Sequence, residues 1–407
     1  MTVVKKPMLT AAQALELLLA AAVPTDDIEI VETLHANGRI LAQTQTSNLD
    51  VPSLDNSQMD GYAVRCEDFI DGQAMLRVAQ RIPAGKVGHP LDSGTAARIF
   101  TGASVPLGAN AIVMQEHCTQ EGDQVHIPMQ PKLGEWIRRR GEDIRAEAEI
   151  LLAGTKLRAQ ECGLAASVGL AQLTVFRKLR IAVFFTGDEL AMPGEPLQAG
   201  AIYNSNRFVL RGLLENLGCE ISDFGIVPDN LEATRATLRQ AAAQHDLIIT
   251  SGGVSVGEED HVKPAVEAEG RLTMWQIAIK PGKPLAFGAV KREGGQAFFI
   301  GLPGNPVSSF VTFLLFVRPF ILKCQGATTT SHHQYAMRAN FSWPKLDKRN
   351  EFLRVKINAN GDLDLFDNQG SGVLTSTVWG DGLVDVALGE AVSVGSMVKF
   401  IPFAGMV

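Results

Sequence analysis

Five consecutive apolar residues, Ile181-Ala182-Val183-Phe184-Phe185, constrain this chain more than any other feature. Successive side chains of an extended strand point to opposite faces, so an unbroken apolar run needs cover on both. The residues that follow supply it. A helical pattern runs from 205 to 217 and stops at Gly218, and an extended run occupies 219–227. Further helical patterns at 231–244 and 260–269 flank a short apolar run at 247–250. Strands alternating with helices of this length predict right-handed βαβ units and a doubly wound, mostly parallel α/β sheet. The most apolar stretch, 307–317, carries Ser308, Ser309 and Thr312 and is followed by Arg318-Pro319. It is shorter than the ~20 residues a membrane span requires and is expected to be a buried core helix.

The rest of the chain has a different texture. Residues 9–23 repeat apolar side chains at helical spacing, with Thr10 placed to cap the start and Pro24 to close the end. From 27 to 129, short β-type runs (62–64, 75–78, 111–114, 125–127) alternate with Gly- and Pro-bearing turns, which predicts a β-rich module. Helical character returns at 158–167, as though a first domain resumed after an insertion. Beyond Gly326 a Thr/Ser/His run marks a linker, and the tail from 335 shows the short alternating strands of a small barrel or sandwich. A length of 407 residues accommodates about three domains or more.

Charge and cysteine usage narrow the function classes. A net charge of -7 argues against nucleic acid or an anionic membrane as the main partner. Five widely spaced cysteines without a C-x-x-C pair fit reduced thiols rather than a disulfide framework or a zinc site. The first residues lack the apolar stretch of a signal peptide, so a cytoplasmic location is expected.

In open parallel sheets, ligands bind beyond the carboxyl ends of the strands. Here those positions read Thr186-Gly187-Asp188-Glu189, then Pro228-Asp229, then Ser251-Gly252-Gly253-Val254-Ser255-Val256-Gly257-Glu258-Glu259-Asp260. Lys280-Pro281-Gly282-Lys283-Pro284 and Gly301-Leu302-Pro303-Gly304-Asn305-Pro306 follow. Ordinary turn chemistry accounts for glycine and Asp/Asn in any one such loop, but not for five in succession with paired lysines. Ser251-Gly252-Gly253 could present backbone N–H groups to phosphate oxygens. Asp229, Glu258, Glu259 and Asp260 are hard oxygen donors of the kind Mg²⁺ prefers. Lys280 and Lys283 on one rigid loop suit a compact oxyanion. The Arg138-Arg139-Arg140 run reads first as a solvated face, although arginines also clamp phosphate.

These stretches, with Asp60-Gly61-Tyr62-Ala63, Thr101-Gly102-Ala103, Arg140-Gly141-Glu142-Asp143-Ile144 and Ser205-Asn206, resemble the molybdopterin molybdenumtransferase family, relatives of the E domain of gephyrin. The resemblance runs from residue 7 to the C-terminus. It implies an elongated N-terminal domain (1–46 and 142–177), a β-rich inserted domain (47–141), an α/β molybdopterin-binding domain (178–327) and a C-terminal β-barrel (328–407). It also implies Mg²⁺-dependent insertion of molybdate into adenylylated molybdopterin with release of AMP, and a homodimer whose clefts face the other subunit. Molybdopterin adenylyltransferase and molybdoenzyme maturation proteins would be further partners. Carried over position by position, Asp60, Asp143, Glu189, Asp229 and Asp260 are the acidic catalytic positions, with Asp229, Asp260 and Glu189 as Mg²⁺ ligands. Thr101, Ser251, Gly252, Gly253, Ser255, Pro303 and Pro306 bind substrate, Lys280 and Lys283 lie near molybdate, and Arg354 and Ser371 contact it.

Two other readings start from the same residues. A molybdopterin adenylyltransferase shares the α/β domain but is usually a compact single domain with a Gly-Gly-Thr-Gly phosphate loop, where this chain continues Val254-Ser255-Val256. A non-catalytic scaffold would need further partner-binding segments or linkers.

Overall fold

The structure, a computed structural model, describes residues 8–253 and 261–407. Helix α1 (Ala11–Ala21) begins at Thr10, whose hydroxyl accepts the Gln13 N–H while the Gln13 side chain accepts the Thr10 N–H. Strand β1 (Ile28–Glu32) leads into a six-stranded sheet built from β2 (Gly61–Val64), β3 (Ala74–Ile82), β4 (Thr95–Ile99), β5 (Ala111–Met114), β6 (Thr119–Glu121) and β7 (Gln124–Ile127). Its strand order is β5-β2-β4-β3-β7-β6. The chain then returns through α2 (Ala159–Ser167) to β8 (Gln172–Phe176), which pairs antiparallel with β1. The apolar runs expected between 62 and 127 are the strands of this sheet.

The middle of the chain contains β9 (Arg180–Thr186), α3 (Ser205–Asn216), β10 (Glu220–Val227), α4 (Leu231–Gln244), β11 (Leu247–Ser251) and α5 (Val262–Glu269). They are followed by β12 (Gly270–Gln276), β13 (Ile279–Lys280), β14 (Pro284–Arg292), β15 (Gly295–Leu302) and the long helix α6 (Pro306–Cys324). The sheet order is β10-β9-β11-β15-β14-β12. The first four strands are parallel, and β14 and β12 run antiparallel at one edge. The run 181–185 behaves as its apolarity demands. Ile181, Val183 and Phe185 enter the core shared with α1, α3 and α6, whereas Ala182 and Phe184 enter the opposite core under α4 and α5.

Helix α6 extends further than the sequence suggests, because Arg318-Pro319 does not end it. Residues Phe313–Val317 adopt π-type hydrogen bonding immediately before Pro319. That register widens the helix where the proline ring would crowd the preceding turn and where no N–H is available. By length and composition α6 could cross a membrane, but 94% of its apolar window is buried inside the protein.

The C-terminal strands are β16 (Tyr335–Arg338), β17 (Asn350–Ile357), β18 (Leu363–Leu365), β19 (Gly382–Val386) and β20 (Met397–Pro402), with α7 (Thr375–Trp379) on one side. Pairing runs β18-β17-β19-β20-β16. Ala339, the residue after β16, bridges Leu363 of β18 and closes the ring into a small barrel. One further strand comes from the central domain, since β13 pairs in parallel with Asn350–Glu351 of β17.

Candidate active site

A cleft of about 860 Å³ opens at the carboxyl edge of the central sheet. Thr186, Gly187 and Glu189 reach it from the end of β9, Asp229 from the end of β10, Ser251, Gly252 and Gly253 from β11, and the 303–306 turn from β15. Lys280 at the end of β13 and Lys283 in the loop before β14 line it, and Arg349, Gln369, Gly370 and Ser371 line it from the C-terminal domain. Of the residues expected to act, the fold therefore gathers Glu189, Asp229, Ser251, Gly252, Gly253, Lys280, Lys283, Pro303, Pro306 and Ser371 around one space. Ser255 and Asp260 lie outside the described residues.

The floor is cross-braced. Asn204 caps α3 by accepting the Arg207 N–H. Asn206, nearly buried, donates from Nδ2 to Ser251 Oγ and to the Gly304 carbonyl, both at 2.8 Å. Ser251 Oγ donates in turn to the Pro303 carbonyl at 3.0 Å, and the Gly252 N–H donates to the Leu302 carbonyl at 3.2 Å. This corrects the expectation for the Gly252 N–H, which is committed to the neighbouring loop and not offered to a phosphate, and the Ser251 hydroxyl acts as scaffold in the same way. Glycine is required at 252 for a different reason. Its φ is +99°, and a Cβ there would stand 2.8 Å from the Thr186 carbonyl oxygen.

The lysine loop is held as firmly. Gly282 has φ +107°, and a Cβ would lie 2.4 Å from Thr312 Oγ1 on α6, so the loop packs directly against that helix. Lys280 Nζ is 2.6 Å from Glu351 Oε1 and 3.6 Å from Asp347 Oδ2, both on the barrel. Arg349 grips Asp347 through two contacts of 3.1 Å, and that hydrogen-bonded pairing holds the Asp347 carboxyl below its usual range. Glu351 Oε2 accepts the Trp343 indole N–H at 2.6 Å. Sequence reasoning missed Arg349. An arginine in a polar bend before a strand carries no local sign that it faces a cleft.

Arg354 is a correction. It is 1% exposed and does not line the cleft. Its guanidinium donates to Ser376 Oγ, the Phe352 carbonyl and the Gly370 carbonyl. It therefore anchors the turn that carries Gly370 and Ser371 and does not reach an oxyanion itself. Asp60, Thr101 and Asp143 also lie away from the cleft lining of their own chain. Asp60 Oδ1 accepts both the backbone N–H and the hydroxyl of Thr101 at 2.8 Å, which lowers the Asp60 pKa. Arg139 and Arg140 pair locally with Asp55 and Asp50, as a solvated face would.

Glu189 and Asp229 share the cleft, and no group of three or more His, Cys, Asp or Glu suited to a metal occurs among the described residues. Two carboxylates still match Mg²⁺, which takes one or two from protein and completes its shell with phosphate oxygens and water. Carboxylates on one wall and cations on another define an α/β enzyme of the phosphate- and oxyanion-handling class.

Comparison with known proteins agrees along the whole chain. Residues 9–169 match the family described as "MoeA N-terminal region (domain I and II)", 182–323 the "Probable molybdopterin binding domain", and 336–403 the "MoeA C-terminal region (domain IV)". The molybdopterin molybdenumtransferase of Haemophilus influenzae is 42% identical over 320 residues, 78% of each chain. That of Nostoc is 43% identical over 306 residues, 74% of this chain and 70% of its own. A crystal structure of the molybdopterin biosynthesis MoeA protein from Pyrococcus horikoshii covers 97% of this chain and 100% of its own, with a TM-score of 0.83 at 28% identity. The chain belongs to the molybdopterin molybdenumtransferase family.

Proposed function

We propose that this chain, acting in the cytoplasm, inserts molybdate into adenylylated molybdopterin and releases AMP. One observation carries the reading: a single cleft sets Glu189 and Asp229 from the sheet edge against Lys280, Lys283 and Arg349. The relatives are named for molybdenum transfer to molybdopterin, and this charge division suits the anionic substrates proposed here. Glu189 and Asp229 would hold Mg²⁺, which when bound neutralises phosphate charge. The cations receive the molybdate dianion, and the 303–306 turn with Ser371 borders the remaining space. Lysines held on a packed loop keep Coulomb attraction that mobile surface charges lose to screening.

The double change Lys280→Gln and Lys283→Gln tests this. Losing one charge-assisted contact costs roughly 1.5–3 kcal/mol, or about one to two decades in affinity. The molybdate concentration needed for AMP release should rise at least that much, with binding of adenylylated molybdopterin little changed. Collapse of pterin binding with an unaltered molybdate dependence would reverse the two subsites.

A homodimer completes the proposal, with Asp60, Thr101 and Asp143 of a second copy serving the cleft they do not reach in their own chain. Mixing an Asp60→Asn variant with the double lysine variant should restore part of the activity, because hybrid dimers would contain one intact cleft. Failure of any mixture to regain turnover, or a 43.8 kDa species at micromolar concentration, would count against the shared site.

A further inference from the structure

Glu351 is a carboxylate buried to 2% exposure at the junction of barrel and sheet. Burying a charge there is costly unless each oxygen finds a donor. Both do: Lys280 Nζ at 2.6 Å on one side and Trp343 Nε1 at 2.6 Å on the other. The backbone sets the meeting, since Lys280 is the register partner of Glu351 in the short parallel pairing of β13 with β17. Lys280 itself lines the cleft and remains 38% exposed, so one end of this chain of contacts is fixed in the barrel and the other reaches solvent. An ammonium has three N–H donors, and Glu351 engages one directly, leaving donors for an anion.

We propose that Glu351 is a positioning residue for oxyanion binding, holding the Lys280 ammonium at the cleft wall so that the barrel sets how firmly the cleft grips molybdate. The inference rests on the reading that Lys280 binds molybdate. With only the longer 3.6 Å contact to Asp347 left, the lysine side chain spreads over more rotamers and must be ordered again by each incoming anion. Glutamine cannot replace the carboxylate, because its single oxygen satisfies one donor while its NH₂ confronts the other.

The test uses the full chain, with molybdate as the varied ligand and AMP release as the readout. Glu351→Gln should raise the molybdate KM roughly tenfold, leaving the KM for adenylylated molybdopterin within about twofold. Glu351→Asp, which keeps the charge, should recover part of the loss. In a Lys280→Gln background, adding Glu351→Gln should change the molybdate KM by less than about twofold, because the group it positions is gone. Should Glu351→Gln fail to fold, Trp343→Phe frees Oε2 alone and is expected to raise the molybdate KM about threefold. Equal effects of Glu351→Gln in both backgrounds, or folded variants with unchanged molybdate dependence while Lys280→Gln alone is impaired, would overturn the positioning role only. An unimpaired Lys280→Gln would overturn the cleft reading and the inference together.

Discussion

Replacing Arg354 by methionine removes three donors from the barrel interior while keeping a long side chain of comparable reach. The guanidinium hydrogen-bonds Ser376 Oγ at 3.0 Å and the carbonyls of Phe352 and Gly370 at 3.2 Å each. Hydrogen bonds to a charged group contribute about 1.5–3 kcal/mol apiece, roughly 4.5–9 kcal/mol for three. Burial works the other way and pushes the Arg354 pKa down to about 10, still well above neutral pH. A displacement of that size corresponds to about 3 kcal/mol against the charged form. Methionine also regains roughly 1 kcal/mol through apolar burial. The balance is a net loss of about 1–5 kcal/mol, centred near 3. Urea unfolding followed by tryptophan fluorescence suits the measurement, because Trp343 and Trp379 both lie in the C-terminal segment. With a slope of about 1–3 kcal/mol per molar urea, the barrel transition should move down by roughly 1–3 M. The molybdate requirement should rise as well, since the Gly370–Ser371 turn loses its anchor. A transition at the wild-type midpoint would refute the reasoning. A raised molybdate requirement with unchanged stability would show instead that Arg354 meets the anion directly.

Two further outcomes follow from the geometry. Gly282→Ala combines an unfavourable positive φ with a Cβ at 2.4 Å from Thr312 Oγ1, so it should cost about 2–4 kcal/mol and lower the thermal midpoint measurably. A melting curve identical to wild type would show that the loop relaxes away from α6. Burial pushes the Cys324 thiol up to about 12, and the residue is 4% exposed, so iodoacetamide at pH 8 should leave it unmodified long after the less buried Cys162 has reacted. Peptide mass spectrometry showing equal rates would contradict the packing beneath α6.

The central sheet was readable because its demands are local. The run 181–185 is apolar at every position, so it needed helices on both sides, and residues 205–269 carry helical patterns that place them there. Once strands and helices alternate, the carboxyl edge follows, and with it Glu189, Asp229 and the lysine loop. The Gly252 N–H was misread because a glycine-rich turn looks the same whether its N–H groups face a ligand or a neighbouring loop. Only the Leu302 carbonyl decides between the two.

The barrel's share of the site was not readable. Arg354 lies within β17, whereas Arg349 occupies the bend just before that strand begins at Asn350. Nothing local states which of the two arginines meets the cleft, and the structure assigns it to Arg349. The contact of Glu351 with Lys280 spans 71 residues of sequence and depends on a two-residue parallel pairing between the barrel and the central sheet. Which elements form, and which loop residues gather at one sheet edge, could be read along the chain, because periodicity and turn chemistry act over a few residues. Which cation stands beside which carboxylate was decided only by tertiary structure, because pairing across modules depends on register and docking that no local pattern encodes.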